Sequence, residues 1–231
     1  MNHLTRASLA AVLICVCASA GGAQTTAAST DVYHVHFAKA VPGQATALAD
    51  VLKKPDSRTP MPEHFVVLRH QQGDDWDYCV IQHLGPKATV DAASAAPDAG
   101  RDLRSWHTDT FVSGPAWPEL AKALGIGDAA SSTGGSVYAV AVWRAVPGHR
   151  DQLEKVLREP QPSKVPVSRV VLTHMEGGPW QYLAIDRWNS WQDFATDQAS
   201  TGTATANDPW SRIREHGSYH HDTLADRIAP R

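Results

Sequence analysis

The chain has 231 residues, of which 42% are apolar, 19% charged and 7% aromatic, with twelve histidines, three cysteines and a formal net charge of −3. This length allows one large or two small domains. The apolar and charged fractions are typical of a folded globular protein and exclude a disordered chain. The slightly acidic balance argues against nucleic acid as a partner, because a nucleic-acid surface needs basic residues to neutralise phosphates.

Residues 1–23 have the three-part layout of a secretory signal peptide. Arg6 stands in a short polar start, an apolar run of about twelve residues follows, and small residues offer cleavage after Ala20 or Ala23. The apolar run is shorter than the roughly 20 residues that span a bilayer, so we predict no membrane span. We therefore expect a periplasmic or secreted protein, with residues 24–31 as a disordered leader after cleavage.

The remaining chain contains one unit written twice. Residues 32–52 and 137–157 are identical at ten of 21 positions, and residues 105–110 correspond to residues 218–223 near the end of each copy. Such internal repetition indicates a duplicated structural unit.

These blocks predict two domains and a linker. The first unit covers residues 32–124 and the second covers residues 137–231. Residues 125–136 between them are rich in Gly and Ser, a composition typical of a linker.

Each copy has the pattern strand, helix, strand, strand, helix, strand. The first strand alternates apolar and polar residues, a helix follows a Pro-Gly turn, and two strands joined by a Gly-containing turn form a hairpin. In the second copy, Asp208 and Pro209 predict the start of a further helix, as N-cap and first helical residue. This βαββαβ order is that of a ferredoxin-like unit. We predict the α+β class, with two tandem ferredoxin-like units packed sheet-to-sheet as an intrachain α+β barrel.

Several motifs carry a family resemblance. Both copies contain a VYxVxxxxAVPG start, a VVLxH-turn-WxYxxI hairpin and a predicted helix that ends near a His. With these motifs the chain resembles the dimeric α+β barrel superfamily, closest to its antibiotic-biosynthesis-monooxygenase-like branch, as a tandem form with a secretory signal peptide. The resemblance implies the barrel fold. Members of that superfamily range from cofactor-free monooxygenases to haem-binding proteins. The sequence contains no catalytic signature that is specific to one branch.

The first strand of the first copy carries two histidines that the second copy lacks. His34 and His36 lie two residues apart, so they share one face of the strand, whereas the second copy has Ala139 and Ala141 there. The opposite face is apolar in both copies, so we expect it to pack on helices. This assignment points His34 and His36 into a cavity between the two sheets.

Three further histidines of the first copy fall near this cavity in the predicted topology. His70 ends the second strand, His83 lies on the third, and His107 precedes the fourth. We predict His34, His36, His70 and His107 as catalytic residues, because histidine transfers protons near neutral pH. A second interpretation makes His34, His36 and His83 metal ligands. A third is structural, because His70 and His107 recur in the second copy.

The function is predicted as that of an exported protein that binds a small molecule, an oxidoreductase of the monooxygenase-like kind acting on a small apolar or aromatic compound. Four tryptophans of the second copy without a counterpart in the first can line such a pocket or fill the core. The alternative is a non-catalytic periplasmic module that binds a ligand, a metal or haem. The cofactor stays open between none, a divalent metal and non-covalent haem. We expect either a monomer with an internal pseudo-dimer or a homodimer.

Overall fold

The computed structural model describes residues 30–86, 100–127, 135–160, 166–200 and 208–230. The predicted signal peptide lies outside the described residues, as do positions 24–29 of the leader and 128–134 of the linker. Residues 87–99, where the second helix of the first copy is expected, also lie outside them. We call the described residues up to 127 the first half and those from 135 onward the second half.

The described residues form eight strands and five α-helices. The strands are β1 (Thr30–Ala40), β2 (Phe65–Gln72), β3 (Tyr78–Pro86), β4 (Arg104–Pro115), β5 (Val137–Ala145), β6 (Ser168–Glu176), β7 (Tyr182–Trp188) and β8 (Gly217–Ala229). The helices are α1 (Ala45–Leu52), α2 (Trp117–Ala123), α3 (Arg150–Arg158), α4 (Trp191–Ser200) and α5 (Pro209–His216), with one 3-10 turn at Arg101–Leu103.

The strands form one closed antiparallel barrel in the order β1-β3-β2-β8-β5-β7-β6-β4. Within the first half the order is β4-β1-β3-β2, and within the second it is β8-β5-β7-β6. The halves join at two seams, where β2 pairs with β8 and β4 pairs with β6. The predicted mixed α+β barrel is thereby confirmed at the level of its architecture.

The predicted boundaries of helices and strands agree with the structure in part. Asp208 caps α5 as predicted, because its Oδ1 accepts the Ser211 N–H at 3.0 Å and Pro209 follows it. Strand β1 begins at Thr30, so the last two positions of the predicted leader belong to the barrel. Strand β4 begins at Arg104, which places His107 inside the strand. None of the described helices is long and apolar enough to cross a membrane.

The barrel interior is the main core, and both halves contribute to it. One buried cluster joins the alternating face of β1 in the first half to the matching face of β5 in the second, with members that include Tyr33, Val35, Phe37, Tyr138 and Val140. Two smaller clusters lie on the outer side of the sheet, where helices pack. One contains Ala38 of β1 and Leu48 of α1, and the other contains Leu153 of α3 and Ile213 of α5.

This arrangement corrects the predicted orientation of His34 and His36. They alternate with the interior residues and share their face with Ala38, so they lie on the outer, helix-bearing side of the sheet and not between the sheets. The physical reason is that the face that is apolar in both copies buries most surface when it meets its counterpart from the other half. The prediction reversed the two faces.

Candidate functional site

Two histidines of β1 converge on one carboxylate of β4. In the antiparallel β1–β4 register His36 lies directly opposite Asp109, and His34 lies opposite Phe111. His34 Nε2 and His36 Nδ1 each lie 2.8 Å from Asp109 Oδ1. An ionised carboxylate only accepts hydrogen bonds, so both imidazoles donate to the same oxygen.

Arg104 determines the protonation state of His36. Its Nη1 lies 2.8 Å from His36 Nε2, and a guanidinium can only donate. The Nε2 atom is therefore an acceptor, and the single ring proton sits on Nδ1, where it is donated to Asp109. The network thus assigns His36 as the neutral Nδ1–H tautomer.

The charges of the cluster follow from this network. Burial lowers the pKa of His36, the hydrogen bond to Asp109 opposes this effect, and the charge of Arg104 adds to the lowering. Burial acts to raise the pKa of Asp109, but the hydrogen bonds from His34 and His36 outweigh it and hold this pKa well below its usual range. Near neutral pH the cluster contains an ionised Asp109 beside a neutral His36.

The outer rim of the cluster consists of His107 and Phe111. His107 Nε2 lies 3.3 Å from Asp109 Oδ2, and the Phe111 ring centroid lies 5.4 Å from that of His34. The side chain of His36 is only 8% exposed, whereas that of His34 is 31% exposed. His34 is therefore the member of the pair that solvent or a ligand can reach. Its Nδ1 atom makes no hydrogen bond to any described residue.

The second half lacks this arrangement at the equivalent position. Ala139 and Ala141 replace the two histidines, and Asp222 stands opposite Ala141 as Asp109 stands opposite His36. Without imidazole donors from β5, burial raises the pKa of Asp222, although nearby His220 acts against this. The two halves share a backbone but differ in the chemistry of this face.

The hairpin turn of each half packs against the backbone of the aspartate in the other half. A Cβ atom on Gly177, in the second half, would overlap the backbone carbonyl oxygen of Asp109, and one on Gly73, in the first half, would overlap that of Asp222. Both glycines have a positive φ, which L side chains rarely adopt. The β4–β6 and β2–β8 seams therefore bring a turn of each half against the candidate aspartate of the other.

The structure brings together three of the four predicted catalytic histidines. His34, His36 and His107 surround Asp109, but His70 lies apart in β2, where its ring contacts Trp76 at a centroid distance of 5.8 Å. The buried Nε2 of His70 has no hydrogen-bond partner among the described residues.

His83 also lies apart from the cluster, which corrects the grouping of His34, His36 and His83 as metal ligands. It pairs with Tyr33 across the β1–β3 ladder and so faces the barrel interior. There its Nε2 lies 2.9 Å from Asp31 Oδ2 and its Nδ1 lies 3.0 Å from His64 Nδ1. His83 continues the alternation of Cys79 and Ile81, which belong to the interior cluster, so it lies on the opposite face of the sheet from His34 and His36.

The residues of the cluster do not fit a metal site. Within the described ranges, no group of three or more His, Cys, Asp or Glu side chains is arranged to hold a metal ion. His36 offers no free nitrogen, because its Nδ1–H faces Asp109 and its Nε2 accepts from Arg104. Of the two histidines His34 alone keeps a free ring nitrogen, and a single nitrogen does not make a metal site.

A separate cavity of about 690 Å³ lies where β4 and α2 of the first half face α3 and β6 of the second. Its lining includes Ser113, Glu119, Arg158 and Arg169, but no histidine. The prediction of a histidine-lined cavity therefore does not describe this cavity.

Two members of the cluster were missed from the sequence. Asp109 shows no difference between the copies, because Asp222 stands at the equivalent position of the second. The available signal for Arg104 was asymmetry, because its counterpart in the second copy is Gly217. The same difference between copies had pointed to His34 and His36.

Comparisons with known proteins place this fold. No family model and no curated protein matches the chain. Among solved structures it is similar to an anthrone oxidase-like protein, with a TM-score of 0.53 at 11% identity over 88% of this chain and 93% of the other. A candidate monooxygenase from Lactobacillus acidophilus NCFM gives a TM-score of 0.49 at 8% identity, over 86% and 94%. At such identities the first similarity shows the α+β barrel fold alone.

Proposed function

We propose that the protein is an exported monooxygenase-like enzyme in which His34 acts as a general base on a small aromatic compound. The observation that carries the proposal is the contact of His34 Nε2 with Asp109 Oδ1 at 2.8 Å in the first half. The second half has alanine at the position of His34. The carboxylate holds the imidazole by one nitrogen, so the lone pair of Nδ1 is left for a substrate proton.

Each neighbour of His34 supports this role. Asp109 is ionised and therefore stabilises the imidazolium that forms when His34 takes up a proton. His36 is neutral and stays so because Arg104 occupies its second nitrogen. The Phe111 ring beside His34 offers an apolar contact for an aromatic ring.

The substrate class that suits a lone base is a compound with an acidic C–H group, such as the methylene flanked by two rings in anthrone. Loss of one methylene proton to His34 Nδ1 leaves a delocalised carbanion, which dioxygen oxidises. One oxygen atom becomes the new carbonyl, the other leaves as water with both hydrogens of the methylene, and four electrons pass from carbon to dioxygen. The fold similarity to an anthrone oxidase-like protein is consistent with this choice of substrate.

The proposal includes the architecture and export. We infer that the two halves are tandem ferredoxin-like units forming an internal pseudo-dimer, because each half has the same strand order and the halves meet at two equivalent seams. Export rests on residues 1–23. Mass spectrometry of the protein from its natural host tests it, since cleavage is expected after Ala20 or Ala23.

Oxygen uptake with anthrone tests the activity. The wild-type protein should consume dioxygen faster than the spontaneous reaction, and His34→Gln should reduce the rate by about 10²–10⁴-fold, as loss of a general base does. The matched control is His220→Ala, which removes the histidine beside Asp222 in the second half and should leave turnover nearly unchanged. An equal loss in both variants, or a haem absorption band in the active protein, would contradict the assignment.

A further inference from the structure

Two arginines are buried inside the barrel at one end of the second half. Arg187 in β7 is 6% exposed and Arg227 in β8 is 3% exposed. Arg187 lies opposite Tyr138, and Arg227 lies opposite Leu68, both of which belong to the interior core cluster. Two permanent positive charges therefore lie within an apolar interior.

Within the part of the chain that the structure describes, no carboxylate is paired with Arg187. The structure records no hydrogen bond or ion pair from its guanidinium to any described residue, and its Nε atom is fully buried without a partner. A buried charge is costly unless it is paired and hydrogen-bonded. Each unsatisfied buried group in a native protein therefore calls for an explanation, and an absent ion or ligand is one.

The backbone at Gly125 makes room for both side chains. Gly125 has a φ of +68°, and a Cβ there would overlap Nη1 of Arg187. Nη2 of Arg227 donates to the Gly125 carbonyl oxygen at 3.2 Å. The two guanidinium groups therefore meet at one glycine.

The hydroxyl of Tyr138 lies close enough to both arginines to be affected by their charges. Burial raises the pKa of its hydroxyl, and the positive charges of Arg227 and Arg187 both act against this effect. The hydroxyl donates to the Leu124 carbonyl oxygen at 2.8 Å, so it is a neutral phenol, and it also has a hydrogen bond with the side chain of Arg227.

In the first half the position equivalent to Arg187 is occupied by a residue with a buried acidic partner. At the position of Arg187 it has His83, whose Nε2 lies 2.9 Å from the buried carboxylate of Asp31. In the second half the position of Asp31 is taken by Ser136, which is also buried but carries no charge. The two halves thus differ at both positions: the second has a permanent cation in place of the titratable base, and a serine in place of the acid that pairs with the base.

We propose that Arg187 and Arg227 form a binding site for a small oxyanion, either a free anion or the acid group of an organic ligand. The planar fork of arginine matches the geometry of carboxylate and phosphate oxygens and favours bidentate contacts. This site lies in the barrel interior of the second half, apart from the histidine cluster on the outer face of the first, and does not depend on the function proposed for that cluster.

The test is thermal unfolding of the full chain in inorganic phosphate and, separately, in benzoate, at constant ionic strength. An anion present at about 100 times its Kd shifts the unfolding equilibrium about 100-fold, which corresponds to a rise of roughly 5–10 °C in Tm for a chain of this size. A rise with phosphate indicates a free anion, and a rise with benzoate alone indicates the acid group of an organic ligand.

Three variants decide whether the arginines are responsible. Arg187→Met should abolish the anion-dependent rise, and Ser136→Asp should supply the missing acid, raise Tm without added anion and remove the anion dependence. The control Arg169→Met, which removes an arginine already paired with Asp186 at 2.6 Å, should retain the rise. No rise in the wild type with either anion, or an equal rise in Arg187→Met, would overturn the proposal.

Discussion

Nη1 of Arg104 lies 2.8 Å from Nε2 of His36, and this contact makes His36 a neutral donor to Asp109. The consequence is a division of roles between two histidines that occupy equivalent positions on one strand. His36 is buried and its two nitrogens are both engaged. His34 shares the same carboxylate oxygen but keeps Nδ1 available, so of these two histidines it is His34 that can exchange a proton with a ligand.

Replacement of Arg104 should change the titration of His36. Arg104→Met removes a positive charge and a donor that together favour the neutral ring, so the pKa of His36 should rise. An NMR titration of the imidazole signals measures this change. The control Arg144→Met removes an arginine stacked on Tyr219 in the second half and should leave the His36 pKa unchanged. An unchanged or lower pKa in Arg104→Met would show that the tautomer is not fixed by Arg104.

Asp109 should stabilise the fold in a pH-dependent way. Its pKa is lower in the folded than in the unfolded chain, so its contribution is present above the ordinary value of 3.8 and disappears as the pH falls through the folded value. Asp109→Asn should therefore cost about 1 kcal/mol near pH 5, because partial exposure screens its charged hydrogen bonds. The difference from the wild type should shrink below about pH 3.

Urea unfolding at both pH values measures this difference, and Asp222→Asn is the control of opposite sign. The pKa of Asp222 is raised, so its charge disfavours the folded state at neutral pH and its removal should cost nothing there. The lowered pKa of His36 adds a further loss of stability in the wild type below its ordinary value of 6.5. Equal costs for the two Asn variants near pH 5 would contradict the difference between the halves.

The two hairpin turns that pack against the opposite half should not tolerate a side chain at Gly177 or Gly73. Gly177→Ala and Gly73→Ala each force a Cβ against the backbone of the other half, so each should destabilise the fold by roughly 2–3 kcal/mol. Gly43→Ala is the control, because Gly43 also has a positive φ but nothing lies within 4 Å of its Cβ position, so it should cost only about 1 kcal/mol. Equal losses in urea unfolding would mean that backbone strain alone accounts for the effect.

Asp31 should be the most sensitive carboxylate of the first half. It accepts from buried His83 at 2.9 Å and from the Trp117 backbone N–H at 3.0 Å. Asp31→Asn leaves His83 without a charged acceptor and should cost roughly 2–4 kcal/mol in urea unfolding. Asp50→Asn, at an exposed surface pair with Lys53, should have little effect. A negligible cost at Asp31 would show that His83 finds another partner.

The architecture could be predicted because two independent copies repeat the same alternation and the same turn residues. Both halves have the same strand order, as expected from the repeat, and the barrel closes around the face of β1 and β5 that is apolar in both copies. The facing of His34 was not predictable from alternation alone, since both faces of β1 are largely buried and periodicity does not say which side meets the other sheet. Asp109 and Arg104 lie more than 60 residues from His36, and only the β1–β4 register brings them together.

The central claim is that His34 removes a proton from the substrate, and hydrogen–deuterium exchange tests it without oxygen chemistry. Anthrone in D₂O under anaerobic conditions should exchange its methylene hydrogens faster with the wild-type protein than without it, as followed by NMR. His34→Gln should reduce this catalysed exchange by about 10²–10⁴-fold, and His220→Ala should retain it. Catalysed exchange that survives in His34→Gln would contradict the assignment of His34 as the base.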